Sequence, residues 1–309
     1  MKLLTKEMQD TIARQIPLKA RDIDVCIYGA LDGTLPKEYV LDSLMLFRTK
    51  DGGFGHGLYI DNYNTNTSVY QIYEAFRILD MVGFDSSNEE ELFIDIINKA
   101  ANILYNRCKM DDLKWDPNVI TNNDFAHSKE FEYCEENRKL FGYHPAAALT
   151  GYTLKFFKNT KAYYKKALKN AEGLLDRLLT LDQLSKYEFI SFNSLIESLD
   201  YLGLLKDKVE LAKKHLISLA EKQVTTNFKE IDNVLPLDAS GYVFNENLKE
   251  NIDLQLDYII ESIKSHGLWE KEKSWGYNKY AEEDSAMIKW IGAESVNNYY
   301  ILKKFGRLE

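Results

Sequence analysis

The chain has little proline, few cysteines and no long apolar run. Its 309 residues include 5 prolines and 3 cysteines. Cys26, Cys108 and Cys134 are odd in number, far apart and without a CxxC pair, so neither a disulfide framework nor a structural zinc knuckle is indicated. No stretch approaches about 18 consecutive apolar residues, and the polar start argues against a signal peptide. We therefore expect a cytoplasmic protein without integral membrane association.

A clustered basic surface is also missing. Acidic residues outnumber basic ones by 48 to 39, which gives a net charge of -9. Binding to nucleic acid or to an anionic membrane would require a concentrated basic face. The lysines instead alternate with apolar residues at helical spacing, which is typical of solvated helix faces. We expect no nucleic-acid partner, and the sequence leaves the oligomeric state open.

Apolar residues recur at helical spacing along most of the chain. Pro145 suits the first turn of a helix, and Ser87 with Glu90 forms a candidate capping box. The sequence therefore predicts an all-α, almost wholly helical single domain over residues 1–309, with residues 1–35 as a candidate N-terminal helical cap. The predicted helices lie near 5–15, 20–31, 36–48, 66–82, 88–107, 145–158, 161–181, 188–202, 206–223, 247–265 and 285–305.

These helices fall into two kinds. Between positions 66 and 79 the charged residues are Glu74 and Arg77, and between 189 and 202 they are Glu197 and Asp200. Other helices, such as 161–177, are charged along one face. A low-charge helix cannot face water along a whole side, whereas a charged one must. The alternation predicts an inner ring wrapped by an outer ring, which is an α/α toroid; an irregular all-α bundle is the alternative. The inner helices would begin near 66, 145, 188 and 285.

Two glycine-aromatic knots precede predicted inner helices. The first is DGGFGHG at 51–57, and the second runs from His266-Gly267-Leu268-Trp269 to Trp275-Gly276-Tyr277. DGGFG resembles a turn of the terpenoid cyclase and protein prenyltransferase β-subunit superfamily, and the 266–269 segment is similar to the end of a squalene-cyclase repeat. The resemblance spans about residues 40–306. It implies an α/α toroid whose central cavity takes a small organic, isoprenoid-like molecule.

The superfamily's catalytic motifs are absent. No DxDD acid motif occurs, and no DxC pair is present to begin the zinc set of the prenyltransferases. Phosphate loops and dinucleotide motifs are missing as well. The resemblance therefore implies a fold more than a reaction, and we predict neither a metal nor a cofactor.

The candidate site residues come from four separate segments. All inner helices of such a ring run the same way, so the loops that lead into them gather at one end. We predict a shared site at this mouth, although helix capping alone is the alternative for the polar residues before position 69. The predicted acid/base groups are Asp61, His127 and Asp238, and the predicted ligand-binding residues are His56, Tyr59, Asn62, Tyr63, Tyr242 and Trp275.

Three functions are compatible with the sequence. The first is binding or conversion of a small organic molecule in the ring centre. The second is a glycan-active enzyme with paired carboxylates drawn from Asp61, Asp124, Glu132 and Asp238. The third is a non-catalytic scaffold that presents the ring to a protein partner. A deep apolar pocket, a wide acidic groove and a filled centre would distinguish them.

Overall fold

The computed structural model describes residues 1–224, 247–270, 275 and 279–309, and these residues are mostly helical. This confirms the all-α prediction for the described ranges. None of their helices is both long and apolar enough to cross a bilayer. The twelve α-helices of this part of the chain are α1 (Lys6–Lys19), α2 (Asp22–Asp32), α3 (Glu38–Leu44), α4 (Val69–Met81), α5 (Glu91–Asn106), α6 (Glu135–Leu140), α7 (Ala146–Phe156), α8 (Ala162–Leu178), α9 (Lys186–Tyr201), α10 (Lys206–Gln223), α11 (Lys249–Glu261) and α12 (Glu282–Lys304).

Two short strands interrupt the helices after α5. β1 (Met110–Asp111) pairs antiparallel with β2 (Lys114–Trp115), and Met110 lies opposite Trp115. The predicted helices 88–107 and 145–158 leave the segment 115–144 between them without a helix. It is largely irregular, but it contains two short 3-10 turns and α6, whose six residues include no buried one. A helix this short and polar leaves no apolar periodicity in the sequence, and this is why it was missed.

The low-charge helices are buried on nearly all sides. In α4 the residues that are not buried are Arg77 and Asp80, and in α7 the one that is not buried is Lys155. By contrast, the buried residues of α8 and α10 recur every three or four positions, as expected for helices with one solvated face. Low-charge and amphipathic helices therefore alternate from α4 to α10, apart from α6.

A glycine lets α7 and α9 approach closely. A Cβ added at Gly151 would lie 2.8 Å from Ser198 Oγ and 3.1 Å from the Cα of Leu195. The neighbouring residues Ala146, Ala147 and Ala148 are fully buried. α7 packs against both α9 and α8. Small residues thus set the distance between two of the buried helices.

Hydroxyl groups mark several helix starts. Ser68 accepts a hydrogen bond from the backbone N–H of Gln71 and caps α4. Ser185 and Glu188 form a reciprocal capping box at the start of α9. The capping box predicted at Ser87 and Glu90 was wrong, because Ser87 donates to the carboxylate of Asp85 and α5 begins without a side-chain cap.

The two ends of the chain are held together. Leu4 and Leu308 form a parallel bridge, with the Leu4 N–H donating to the Arg307 carbonyl at 2.7 Å. Arg307 is buried and donates to the carboxylates of Asp253 and Asp257 in α11. Residues 1–35 form α1 and α2, which pack against α12, and α2 also packs against α3.

Candidate functional site

The first glycine-aromatic knot fixes the loop that leads into α4. The carboxylate of Asp51 accepts hydrogen bonds from the hydroxyls of Thr49 and Thr67 at 2.7 and 2.6 Å. A Cβ at Gly55 would lie 2.8 and 2.9 Å from two backbone carbonyl oxygens, so a larger residue does not fit there. Arg21 donates to the carbonyls that end the knot, those of residues 57 and 58. The knot is therefore a rigid turn that positions the residues after it.

The loop after the knot pairs with the 115–144 segment. Asn62 and His127 form an isolated antiparallel bridge. On either side of it, the Tyr63 N–H donates to the Ala126 carbonyl and the Ser128 N–H donates to the Asp61 carbonyl, both at 2.9 Å. Backbone pairing thus brings Asp61 and His127 together from distant positions in the sequence.

Three buried asparagines join the same two segments. The side-chain oxygen of Asn122 accepts hydrogen bonds from the side-chain amides of Asn62 and Asn64 at 3.3 and 2.8 Å. The side-chain amide of Asn122 donates to the backbone carbonyl of Phe131 at 2.9 Å. Asn62 is fully buried, and its Oδ1 also accepts from the Asn64 N–H. The side chain of Asn62, a predicted ligand-binding residue, therefore forms hydrogen bonds within the protein.

The carboxylate of Asp61 accepts hydrogen bonds from two tryptophans. Its Oδ1 accepts from the indole N–H of Trp275 at 2.8 Å and from that of Trp290 at 2.6 Å. Asp61 is only 2% exposed. The backbone N–H of Trp275 donates in turn to Glu283 at the start of α12. Asp61 therefore connects the first loop, the second knot and α12.

The other predicted residues occupy different surroundings. His127 is fully buried, and burial lowers its pKa below the usual range, with Lys279 adding to the effect and Glu132 opposing it. Tyr63 accepts a hydrogen bond from Lys289 of α12 at 2.8 Å. His56 is exposed and takes a left-handed backbone conformation with φ of 57°.

The structure brings six of the nine predicted residues into one region. These are Tyr59, Asp61, Asn62, Tyr63, His127 and Trp275, which contact one another directly or through Trp290. His56 lies on the exposed side of the knot. Asp238 and Tyr242 fall in 225–246, outside the described residues. Asp61 and His127 are covered by protein, so solvent reaches neither in this conformation.

A second set of polar residues follows the low-charge helices α4, α7 and α9 and the more highly charged α12. Each helix carries polar or aromatic side chains at spacings that place them on one face. These sets are Tyr70, Tyr73, Arg77 and Asp80 of α4; His144, Tyr152 and Lys155, immediately before and within α7; Tyr187, Ser191, Ser194 and Glu197 of α9; and Trp290, Asn297 and Lys304 of α12. We call them together the polar axis.

Contacts within the polar axis connect the four helices in a closed order. α4 meets α7 where the rings of Tyr73 and Tyr152 stack, with 6.4 Å between their centroids. α7 meets α9 where the Tyr152 hydroxyl donates to Ser194 at 3.4 Å.

The remaining two contacts involve α12. Lys304 donates to Glu197 of α9 at 2.8 Å. Arg77 of α4 donates to the side-chain oxygen of Asn297 at 3.3 Å. The order α4, α7, α9, α12 therefore returns to α4.

One end of the polar axis is aromatic. Nδ1 of His144 lies 2.7 Å from the Ser191 hydroxyl, and the imidazole packs against the rings of Tyr70, Tyr73 and Tyr187 at centroid distances of 5.2, 4.6 and 5.5 Å. Burial lowers the pKa of His144 to about 3, so the imidazole is neutral near pH 7.

A carboxylate from the 115–144 segment also lies at the aromatic end. The Tyr187 hydroxyl donates to Glu130 Oε2 at 2.5 Å. The Tyr59 ring lies 4.8 Å from that of Tyr70 and 5.6 Å from that of Trp290. Burial raises the pKa values of Tyr59 and Tyr70 well above the usual range, and the negative charge of Glu130 acts in the same direction on both.

The other end of the polar axis is charged. Asp80 forms an ion pair with Lys155, and Glu197 forms one with Lys304. Burial raises the pKa of Asp80, although Lys155 opposes the shift. Burial acts to lower the pKa of Lys304, but Tyr300 and Glu197 outweigh it and the net shift is upward. The acidic and basic groups here nearly balance.

Sequence reasoning missed most of the polar axis. A signal was nevertheless present, because the isolated charges of the low-charge helices, Glu74, Arg77, Lys155 and Glu197, all form ion pairs here. A charge on a helix that is otherwise buried must find a partner inside the protein. Such charges therefore mark the sides on which buried helices meet.

No protein-family model, curated protein or solved structure matched this chain. The relationship to the terpenoid cyclase superfamily stays a prediction that rests on the two knots. In the described ranges, no three His, Cys, Asp or Glu side chains lie close enough to hold a metal ion.

Proposed function

We propose that the chain is an α/α toroid that binds a small organic molecule along the polar axis. In this arrangement α4, α7, α9 and α12 are the inner helices, and α5, α8 and α10 pack around them. The observation that carries the proposal is the closed order of contacts among four helices whose facing side chains are polar.

The polarity of these facing side chains argues for a binding role. Helices that meet only to form a core bury aliphatic side chains, because a buried polar group loses its hydration and must be compensated by hydrogen bonds. Replacing buried ion pairs by well-packed apolar residues is often neutral or stabilising. An interior with tyrosines, serines and paired charges therefore gives up stability that an apolar interior would provide, and ligand recognition is the function that explains it.

The two ends of the axis favour an elongated ligand. The aromatic end offers the ring faces and edges of Tyr59, Tyr187 and Trp290, which suit an apolar or planar group. The opposite end offers hydrogen-bond donors and acceptors from Lys155, Lys304 and their partners. The predicted isoprenoid-like ligand is one member of this class.

The axis favours a small molecule over a glycan. Glycoside hydrolysis uses two carboxylates that face the scissile bond with both available to it. Along the axis, Glu74 is bidentate to Arg77, and Asp80 and Glu197 each have a lysine partner. Carboxylates that are neutralised by cations in this way can still accept hydrogen bonds, but they do not form the pair of available carboxyl groups that cleaves a glycosidic bond.

Co-purification tests the proposal directly. We expect native mass spectrometry of protein expressed in cells to show a bound species of a few hundred daltons, released on denaturation and identifiable in the organic extract. Asn297→Phe places a bulky aromatic ring on the axis in place of a small amide and should abolish the bound species. Glu210→Gln, on the exposed face of α10, is the control and should retain it.

Circular dichroism of both variants shows whether they are folded. A wild-type protein that carries no ligand after expression and binds none from a metabolite library would contradict the proposal. It would then favour the scaffold alternative, in which the centre is filled by side chains.

A further inference from the structure

Glu130, which contacts the aromatic end of the polar axis through Tyr187, differs from the carboxylates of the helices that form the axis. Glu74, Asp80 and Glu197 each contact an arginine or a lysine. Glu130 instead accepts a hydrogen bond from the neutral hydroxyl of Tyr187, and within the described part of the chain no cation contacts its carboxylate. Among the described residues, this negative charge at the aromatic end therefore has no positive partner.

The groups around this charge are aromatic rings with uncovered surface. Tyr59, Tyr187, Trp290 and Glu130 are each partly exposed, whereas the neighbouring Phe131 is fully buried. Tyr59 lies edge-to-face with Trp290. Its ring centroid is 5.4 Å from that of Phe131, the residue that follows Glu130 in the chain. The surface left uncovered at this end thus combines three rings and one carboxylate.

Two cations of the described ranges that lie near this region, Lys289 and Arg77, have other partners. Lys289 donates to the Tyr63 hydroxyl and lies 4.5 Å from the centre of its ring. Arg77 is bidentate to Glu74. The carboxylate of Asp61 adds further negative charge close to Tyr59 and Trp290.

We propose that the aromatic end of the polar axis binds an organic cation, a tertiary or quaternary ammonium group carried on an apolar body. Aromatic faces attract cations through the ring quadrupole, and a carboxylate supplies the counter-charge. A substituted ammonium loses less hydration than a primary one when it is enclosed by rings, so the alkylated cation is favoured. This inference rests on the proposed function, because it identifies the ligand class of the same interior.

A cation and its neutral isostere test the inference. Choline and 3,3-dimethylbutan-1-ol have nearly the same shape, and they differ in the charge of the quaternary centre. We expect isothermal titration to show that choline binds at least about tenfold more tightly than the alcohol. Glu130→Gln should reduce the affinity for choline by about tenfold or more and leave the affinity for the alcohol unchanged, while Glu210→Gln should change neither.

Two further variants separate the rings from the carboxylate. Tyr59→Leu removes a ring face and should weaken choline binding, whereas Tyr187→Phe keeps the ring, frees the carboxylate and should leave binding equal or stronger. Tyr187→Phe and Tyr59→Leu keep the test decisive if Glu130→Gln does not fold.

Equal affinity for choline and the alcohol would overturn the cation inference but leave the small-molecule proposal intact. Failure of choline to bind would also overturn it. Absence of any co-purified or library ligand would contradict the proposed function itself, so the two failures are distinguishable.

Discussion

His144 shows how a single buried side chain can make the stability of this protein depend on pH. Its ring is enclosed by Tyr70, Tyr73 and Tyr187, and its Nδ1 lies within hydrogen-bond distance of Ser191. In the part of the chain that the structure describes, no carboxylate contacts the ring, so burial disfavours the imidazolium and the pKa falls to about 3.

The unfolded chain takes up a proton at His144 near pH 6.5, but the folded protein does so only near pH 3. The contribution of the neutral His144 imidazole to the free energy of unfolding is therefore fully present above about pH 6.5, and it is lost as the pH falls toward 3. Between pH 7 and pH 5 we expect the free energy of unfolding of the wild type to fall by about 2 kcal/mol more than that of His144→Phe/Ser191→Ala. Urea denaturation at both pH values measures this difference.

The second substitution prevents the Ser191 hydroxyl from being left without its partner. His56→Asn, at an exposed position, is the control and should follow the wild type. Parallel pH profiles for the wild type and the double variant would show that His144 is not buried as a neutral ring.

At the scale of secondary-structure elements, the packing of α7 on α9 depends on Gly151. Alanine there would place a methyl group against the α9 backbone, and we expect a loss of about 1 to 3 kcal/mol of stability from overpacking. Gly173→Ala in α8 is the matched control, because its methyl group would meet only the flexible Leu113 side chain. Helix propensity should make that change neutral or stabilising by up to about 1 kcal/mol.

Thermal unfolding of the two variants gives the comparison. A Gly151→Ala protein as stable as the wild type would show that α7 and α9 are farther apart than the structure places them. The substitution pair is informative because both glycines are helical and differ only in what faces them.

The sequence predicts the elements better than it predicts the site. Apolar spacing located most helices, since burial of one face imposes its period on the sequence. It could not give the rotation of one buried helix against another, and this is what places Tyr152 beside Ser194. The loop residues Asp61 and Asn62 were chosen for their chemistry, but their hydrogen bonds to Trp275 and Asn122 depend on backbone pairing that has no sequence signature.

At the scale of the whole molecule, we expect the closed order of contacts among α4, α7, α9 and α12 to give local changes distant effects. Four separate contacts link the helices, and each helix has two neighbours in the order. Loss of one contact in such an arrangement weakens the restraint on all four helices, whereas in an open bundle it affects only the two that touch.

The ion pair of Asp80 and Lys155 tests this difference. Lys155→Met leaves the Asp80 carboxylate enclosed without its cation, and we expect a loss of about 3 to 5 kcal/mol at pH 7. The pKa of Asp80 is already raised by burial, and it should rise further without Lys155. Protonation then relieves the penalty, so the loss should be smaller at pH 4 than at pH 7.

Asp80→Asn/Lys155→Met removes both charges and should recover most of the stability, which a double-mutant cycle measures. Lys158→Met, which breaks an exposed pair with Glu89, is the control and should cost at most about 1 kcal/mol.

Hydrogen exchange of the Lys155→Met variant tests whether the four helices form a closed order. We expect protection to fall in α9 and α12 as well as in α4 and α7, because all four belong to one closed order. Loss of protection confined to α4 and α7 would instead identify an open bundle and remove the basis for a toroid.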